Sequence, residues 1–379
     1  MAVVPGGAGP APRPPLRMAG PRAKMRAMPR HSAPGSAAPG HSPPDSAALS
    51  EVDLALVEAL QVDPRAPWTR IALAIGIDAT TAARRWERLH SAGLAWLTAY
   101  TTTPTTTIGY VDLACRPDRL PALTEELCRW PSVFSVERTT GRYQLFLGLT
   151  AHDLTALDAL VTGRVGELAG VDSTRLAIAT KVYREGSGWL VRALAPEQRA
   201  ALDDTAAQAR ALVPGRWNDA TVATLLEALS VDGRRSCADL ARDCGMSESA
   251  VRRVLGRMLR NHELDFRCDL ANGLAGWPVI ATYRLDVPGD KLDRIARALA
   301  TRPETRLCVA VTGEHNLILT AWLHAPVECG GFEAQLATAA PEARVVDRVV
   351  TIRMPKRMGR LLASNGTAVG QVPIVPART

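Results

Sequence analysis

A six-residue segment of this 379-residue chain occurs twice. Glu58-Ala59-Leu60-Gln61-Val62-Asp63 reappears as Glu227-Ala228-Leu229-Ser230-Val231-Asp232 in the second half of the chain. The register then holds without a gap through Arg65 and Arg234, Ala72 and Ala241, Gly76 and Gly245, and Arg88 and Arg257. Further downstream, Thr140-Gly141-Arg142-Tyr143-Gln144-Leu145 is echoed by Thr312-Gly313-Glu314-His315-Asn316-Leu317 at nearly the same offset. Two segments repeating in the same order describe one two-part unit present twice, so whatever the first copy folds into must also suit the second.

Each unit opens with a helical trio. Ser50 with Asp53 three residues on, or Asn218 and Asp219 in the second copy, cap a helix whose apolar face is Leu54, Val57 and Leu60, or Val222, Leu225, Leu226 and Leu229. A short helix follows, Thr69 to Ile75 or Ala238 to Cys244, and stops at Gly76 or Gly245. Asp78 or Ser247 caps a third helix, and a short Gly-containing turn between two such helices is the helix-turn-helix signature. The second part of the unit has a different period. Ile108–Cys115 reads as strand, Asp118–Arg129 as helix, Val133–Thr139 and Tyr143–Leu149 as a hairpin around Gly141, Asp153–Leu168 as helix and Ser173–Val182 as strand. That order, βαββαβ, is a ferredoxin-like split. The second copy repeats it over Val279–Leu285, Asp290–Ala300, Arg306–Thr312, Asn316–Leu323, Phe332–Ala339 and Arg344–Arg353, and Ala195–Ala211 between the units reads as a helical linker ending at Pro214-Gly215.

Charge is unevenly spread. The chain carries +7 overall, but residues 1–48 and 353–379 each hold +5, which leaves −3 for the body between them. Overall basicity therefore says nothing about nucleic acid, and only local patterns can. Residues 1–48 are Pro, Gly, Ala, Ser and Arg with almost no branched hydrophobics, a composition that cannot offset chain entropy, so they are expected to be disordered; Met18, Met25 and Met28 offer later translation starts. The cysteines, Cys115, Cys128, Cys237, Cys244, Cys268, Cys308 and Cys329, are odd in number, lack a CxxC pair and follow no signal peptide. They read as small core residues in a reducing cytoplasm, with no metal and no cofactor expected. No apolar run is long enough to span a membrane.

The third helices carry the chemistry. Thr81, Arg84, Arg85 and Arg88 stand at i, i+3, i+4 and i+7 on one face, beside Thr80, with Ala82, Trp86 and Leu89 opposite. In the second copy Ser249, Arg252, Arg253, Arg257 and Arg260 form the polar face, beside Glu248, and Val251, Val254, Leu255 and Met258 the buried one. Arg forks suit guanine O6/N7 or phosphates, so both helices read as candidate recognition helices for a DNA major groove. Because the two faces differ, the preferred site is expected not to be a true palindrome. Catalytic patterns are weak: no HxxxH, no GxSxG and no P-loop, and no catalytic residue is assigned.

The run Gly76-Ile77-Asp78-Ala79-Thr80-Thr81-Ala82-Ala83-Arg84-Arg85-Trp86-Glu87-Arg88-Leu89, closing at Gly93-Leu94, resembles the winged helix-turn-helix of the leucine-responsive/asparagine regulators, the Lrp/AsnC family. The βαββαβ with its Thr-Gly hairpin resembles that family's amino-acid-sensing (RAM-type) domain, so residues 49–358 look like two family units in one chain. The resemblance implies an α+β fold and a bacterial transcription regulator that binds double-stranded DNA, senses a small molecule such as an amino acid, and assembles as a homo-oligomer of pseudo-dimeric chains. It places effector binding at Gly141, Tyr143 and Gln144 and at Gly313, His315 and Asn316. The family's hairpin often carries an Asp where this chain has Gln144 and Asn316, which removes one partner for an ammonium group. Siroheme decarboxylases also resemble this family, occur as two such units and use His and Arg in a cavity between domains; here only His315 holds an effector-like position. A third reading, a purely oligomerising protein, predicts no sequence-selective DNA binding. The expected map is a tail (1–48), a winged helix-turn-helix (49–100), a sensing domain (105–186), a linker (187–215), a second winged helix-turn-helix (216–270), a second sensing domain (276–358) and a flexible tail (359–379).

Overall fold

Local capping starts the first helical trio where the sequence places it, while Asn218, expected to cap the second, lies outside the described residues. The Ser50 side chain accepts from the Asp53 amide, and the Asp53 carboxylate accepts in return from the Ser50 backbone, which fixes the start of α1 (Glu51–Val62). Helix α2 (Trp68–Ile75) ends at Gly76, whose φ of +75° only glycine adopts without strain, and Asp78 caps α3 (Ala79–Ser91) by accepting from the Thr81 amide at 2.8 Å. The second trio repeats the plan in α7 (Asp219–Val231), α8 (Cys237–Cys244) and α9 (Glu248–Arg260), with Gly245 and Ser247 at the matching places. The structure, a computed structural model, describes residues 49–101, 106–203, 219–261 and 263–379. The expected N-terminal tail and most of the expected linker helix lie outside them; of that linker, α6 (Pro196–Leu202) is described.

The trios are joined in a reciprocal way. A strand follows each of them, β1 (Ala95–Thr101) and β6 (Leu264–Leu270), and the two pair antiparallel with Thr98 opposite Arg267. Those positions are equivalent in the two copies, so the pairing is two-fold about that point. The loops after α1 and α7 obey the same relation. Arg65 donates to the carbonyls of Gly233 and Arg235, while Arg234 donates to those of Pro64 and Ala66. Each guanidinium closes the other unit's turn, an isologous contact made within one chain.

The remaining elements build a barrel. In the first half these are β2 (Thr107–Cys115), α4 (Leu120–Arg129), β3 (Val133–Thr139), β4 (Leu145–Ala151), α5 (Leu154–Leu160) and β5 (Val171–Arg184). In the second they are β7 (Val279–Asp286), α10 (Leu292–Ala300), β8 (Thr305–Val311), β9 (Leu317–Leu323), α11 (Glu328–Ala339) and β10 (Arg344–Arg357). Strand order is β3-β4-β2-β5 in one half and β8-β9-β7-β10 in the other. The two orders match in register: Asp112 lies opposite Phe146 and Arg175, and Arg284 opposite Ile318 and Asp347, the equivalent residues of the second half. The edges then join, β5 to β8 and β10 to β3, so eight strands close on themselves. Sequence periodicity shows faces and is blind to edges; closure pairs backbone groups that open sheets would leave exposed. Inside lie Tyr110, Phe146, Ala177, Val309, Val311 and Ile318 from both halves, while each half packs its helices in a separate core outside.

The expectation of a flexible tail at 359–379 is corrected by the structure. Strands β11 (Arg360–Leu362) and β12 (Ala368–Gln371) extend the sheet from β10. The Ala368 amide donates to Gly93 at 2.8 Å, and a Cβ on Gly93 would lie 2.2 Å from the Ala368 carbonyl oxygen. Further on, the Ala377 amide donates to Thr150 at 2.9 Å. Backbone pairing, which composition does not register, orders this segment. Among the described residues no helix is long and apolar enough to cross a membrane.

Candidate functional site

Two places gather the expected site residues: the exposed faces of α3 and α9, and the pocket where the two Thr-Gly hairpins meet. On α3, Thr80, Arg84 and Arg88 are exposed and Thr81 and Arg85 half-buried. Arg85 and Arg88 both reach back to the buried carboxylate of Asp53, at 3.1 and 2.8 Å. Burial works against that charge, yet hydrogen bonds from Ser50 and Arg88 hold the Asp53 pKa below its usual value. The pair of arginines thus fastens α3 to α1, and Arg84 stands outward without that duty. On α9, Ser249, Arg252 and Arg253 are exposed, and Arg252 pairs with Glu248 one turn earlier. Arg257 departs from the sequence reading: it is only 7% exposed and bridges Glu263 at 2.9 Å, because its place on the helix faces the start of β6 and not the solvent.

The hairpins come together although they belong to different halves of the chain. Thr140 donates to Val350 in the other half and Thr312 to Ile178, so each hairpin leans across the joined edge. Gly141 and Gly313 take the left-handed turn positions, at φ +94° and +113°. Tyr143 and His315 line one pocket of about 400 Å³ with Arg142, Glu314 and Arg344. Gln144 and Asn316 do something else: Gln144 accepts from the Cys115 amide and Asn316 from that of Val287, pinning each hairpin to a neighbouring strand end.

The floor of this pocket is a ring of four charges that the sequence reading did not single out. Asp112 takes Arg175 at 2.8 Å and also Arg284, and Asp347 takes Arg284 at 3.0 Å and Arg175 at 3.9 Å. Position 112 corresponds to 284 and position 175 to 347, so the two halves carry opposite charges at equivalent places. The available signal was an acid within the apolar run Ile108–Cys115 and a base at its equivalent. Above the ring, His315 is 3% exposed and its Nε2 has no hydrogen-bond partner among the described residues. Burial first, and then Arg284 and Arg175, push its pKa down to about 4. The imidazole is therefore neutral at neutral pH. The pocket presents both guanidiniums, Arg142 and Arg344, and carboxylates, Glu314 and Asp347, of which Glu314 pairs with Arg175 at 3.0 Å and Asp347 with Arg284. Among the described residues no group of three or more His, Cys, Asp or Glu is placed to hold a metal.

Comparison with known proteins gives a consistent picture. The model of the AsnC-type helix-turn-helix domain matches residues 49–90 and again residues 219–259. The model of the Lrp/AsnC ligand binding domain matches residues 109–189. The chain is 26% identical over 142 residues to an uncharacterised HTH-type transcriptional regulator of Pyrococcus horikoshii, spanning 36% of this chain and 90% of that protein. It is 25% identical over 142 residues to an HTH-type transcriptional regulator of Pyrococcus furiosus, spanning 36% and 93%. Among solved structures, the siroheme decarboxylase NirDL superposes with a TM-score of 0.53 at 14% identity, covering 82% of this chain and 93% of that one.

Proposed function

The chain belongs to the Lrp/AsnC family, and on that premise we propose that it is a DNA-binding transcriptional regulator whose two recognition helices sit in one chain and read unlike half-sites. The observation that carries this reading is the pair of AsnC-type helix-turn-helix domains, each ending in a helix with exposed arginines. In this reading Thr80, Thr81, Arg84, Ser249, Arg252 and Arg253 meet DNA directly, and Arg85 and Arg88 contact phosphates while anchored on Asp53. The barrel is read as two ferredoxin-like sensing domains fused through their edges. Its effector, a zwitterion such as an amino acid, occupies the hairpin pocket at Tyr143 and His315, with Glu314 and Asp347 supplying the carboxylates that positions 144 and 316 lack. Chains of this kind are expected to assemble further into a homo-oligomer.

Selection of binding sites from random DNA tests the first part. Two dissimilar half-sites are expected, and a variant carrying Arg84→Ala, Arg252→Ala and Arg253→Ala should bind more weakly, by about 1–3 kcal/mol for each arginine that reads a base. Unchanged affinity and footprint in that triple variant would sink the reading. The second reading is an enzyme like the siroheme decarboxylases, favoured by the shared fold. Against it, none of the described histidines lines the cavity inside the barrel. An absorbance scan of the purified protein separates the two: a bound tetrapyrrole favours the enzyme.

A further inference from the structure

Within the compact unit formed by residues 47–379, the barrel encloses a cavity of about 380 Å³ whose two ends differ in chemistry. Three guanidiniums line one end, Arg267 from β6, Arg306 from β8 and Arg357 from β10. All belong to the second half of the chain. The equivalent first-half positions are Thr98, Phe134 and Glu185, so duplication followed by divergence has made one basic pole and not two. Apolar side chains make up much of the remaining lining, among them Ile108, Tyr110, Phe134, Phe146 and Met354. Gly186 leaves the space that Arg267 fills: a Cβ there would lie 2.2 Å from the guanidinium carbon.

Ion-pair partners are unevenly shared at this pole. Asp269 accepts from Arg267 at 2.6 Å and from Arg306, with Arg357 at 3.8 Å. Glu185 is taken by the hydroxyls of Tyr100 and Ser187. The third carboxyl, Glu137, is hydrogen-bonded by Thr351, and burial raises its pKa, which favours the neutral acid. Among the described residues the three guanidiniums therefore share one carboxylate, Asp269, as ion-pair partner, while hydroxyls take the other two carboxyl groups. Arg306 is 4% exposed, and its Nε and Nη1 have no hydrogen-bond partner among the described residues. The rings of Trp189 and Trp322 flank this guanidinium at 4.9 and 4.1 Å, and an anion beside Arg267 and Arg306 would offset part of the cost of burying so many cations on one carboxylate.

We propose that the barrel cavity binds one small monocarboxylate with an apolar body, its carboxylate against Arg306 and Arg267 and its body along Tyr110, Phe134, Phe146 and Met354. The planar guanidinium fork suits a carboxylate. A phosphate monoester, at about −1.5 to −2, would set a second negative charge beside the carboxyl groups of Asp269, Glu185 and Glu137, which a monocarboxylate avoids. An amino acid finds no unspent carboxylate for its ammonium group, so this is a different ligand class from that of the hairpin pocket. A tetrapyrrole with carboxylates around its rim finds cations at one pole only. Because Arg267 stands on the strand pair that joins the helical trios and Arg306 on the barrel, the ligand bridges the two layers. That consequence rests on the regulator reading, whereas the binding does not.

Calorimetric titration and thermal unfolding of the full chain with octanoate, octanol, octylamine and octyl phosphate test the proposal. Octanoate should bind once per chain and raise the unfolding temperature, with the other three weaker by at least roughly tenfold, since a buried donor left unpaired discriminates strongly. Arg306→Gln should cost octanoate a similar factor. Val182→Trp, at a residue that lines the cavity yet is 43% exposed, should block entry without lowering the unfolding temperature of the free protein. Equal affinity for octanoate and octanol, tighter binding of octyl phosphate, no octanoate binding, or octanoate binding unchanged in Val182→Trp would each overturn it. So would displacement of octanoate by a porphyrin tetracarboxylate of at least roughly tenfold higher affinity. DNA-binding data fail or hold separately from all of these.

Discussion

In the first helical trio the carboxylate of Asp53 holds two arginines of the third helix, while in the second the equivalent positions are Val222 and Val254, packed in an apolar cluster. One change of residue type at position 53 is matched by another at position 85, because a buried carboxylate without a cation, or a buried cation without a carboxylate, is costly. The third member of the set, Arg88 or Arg257, follows its neighbours: the first joins Asp53 and the second turns to Glu263. A similar divergence separates Glu58 from Glu227. Glu58 is fully buried and accepts from the amides of Ala193 and Leu194 and from Arg199, whereas Glu227 is exposed. In the barrel the same logic becomes a reversal of sign, Asp112 and Arg175 against Arg284 and Asp347. Equivalent sites meeting about a two-fold would place like charges together if the halves were identical; opposite charges turn that repulsion into a ring and favour pairing within the chain. Once fused, two copies are free to become complements.

The sharpest way to break this comparison is Asp112→Arg. It sets three guanidiniums in the ring against Asp347 and the exposed Glu314, which pairs with Arg175 at 3.0 Å, and about 3–5 kcal/mol of stability should be lost in chemical denaturation. Arg175→Asp, Arg284→Asp and Asp347→Arg added to it restore an alternating ring of mirrored sign and should recover much of that loss; no recovery would mean that packing and not charge decides the site. Next in size is Glu58→Ala, which leaves two backbone amides and Arg199 without their acceptor and should cost about 2–3 kcal/mol, against less than about 0.5 kcal/mol for Glu227→Ala. Equal effects would remove the asymmetry between the trios.

His315 supplies a smaller, pH-dependent difference from Tyr143, its equivalent. Its folded pKa of about 4 lies below the ordinary 6.5, so the unfolded chain takes up the proton first as pH falls. The contribution is full above pH 6.5 and fades towards pH 4, a change on the order of 2 kcal/mol. His315→Gln should flatten the unfolding free energy across that window, and an unchanged slope would assign the acid sensitivity elsewhere. The smallest effect is expected from Asp53→Asn. It keeps a helix cap and removes the charge, so stability should fall by about 1 kcal/mol. Arg85 and Arg88 are then released towards phosphate, and the salt dependence of DNA binding should steepen. If it does not, those arginines are structural only.

Much of this architecture was legible because it depends on nearest neighbours along the chain. Ser50 with Asp53, Asp78 and Ser247 mark helix starts by hydrogen bonds spanning three residues, and Gly76 and Gly245 mark stops by a backbone angle. Buried faces such as Ala82, Trp86 and Leu89 follow from helical period alone. The site was legible in part. Periodicity put Arg257 on the polar face with Arg253, yet the direction of solvent at that point depends on β6, which the helix period does not contain. Gln144 and Asn316 stood at the expected hairpin positions, but which strand end each side chain pins is decided by the sheet.

By itself the sequence determined that the chain holds a repeated two-part unit, where its helices begin and end, and which helix faces carry arginine, because each of these rests on residues close together or on residue identity at a fixed offset. Only the tertiary structure decided what the repeats do to each other: the exchange of Arg65 and Arg234 between turns, the closing of eight strands, the ordering of residues 359–379 against β10 and Gly93, and the ring of Asp112, Arg175, Arg284 and Asp347. Those features pair groups far apart along the chain. Which distant groups meet is fixed by strand register and edge pairing, and a sum of local preferences does not encode it.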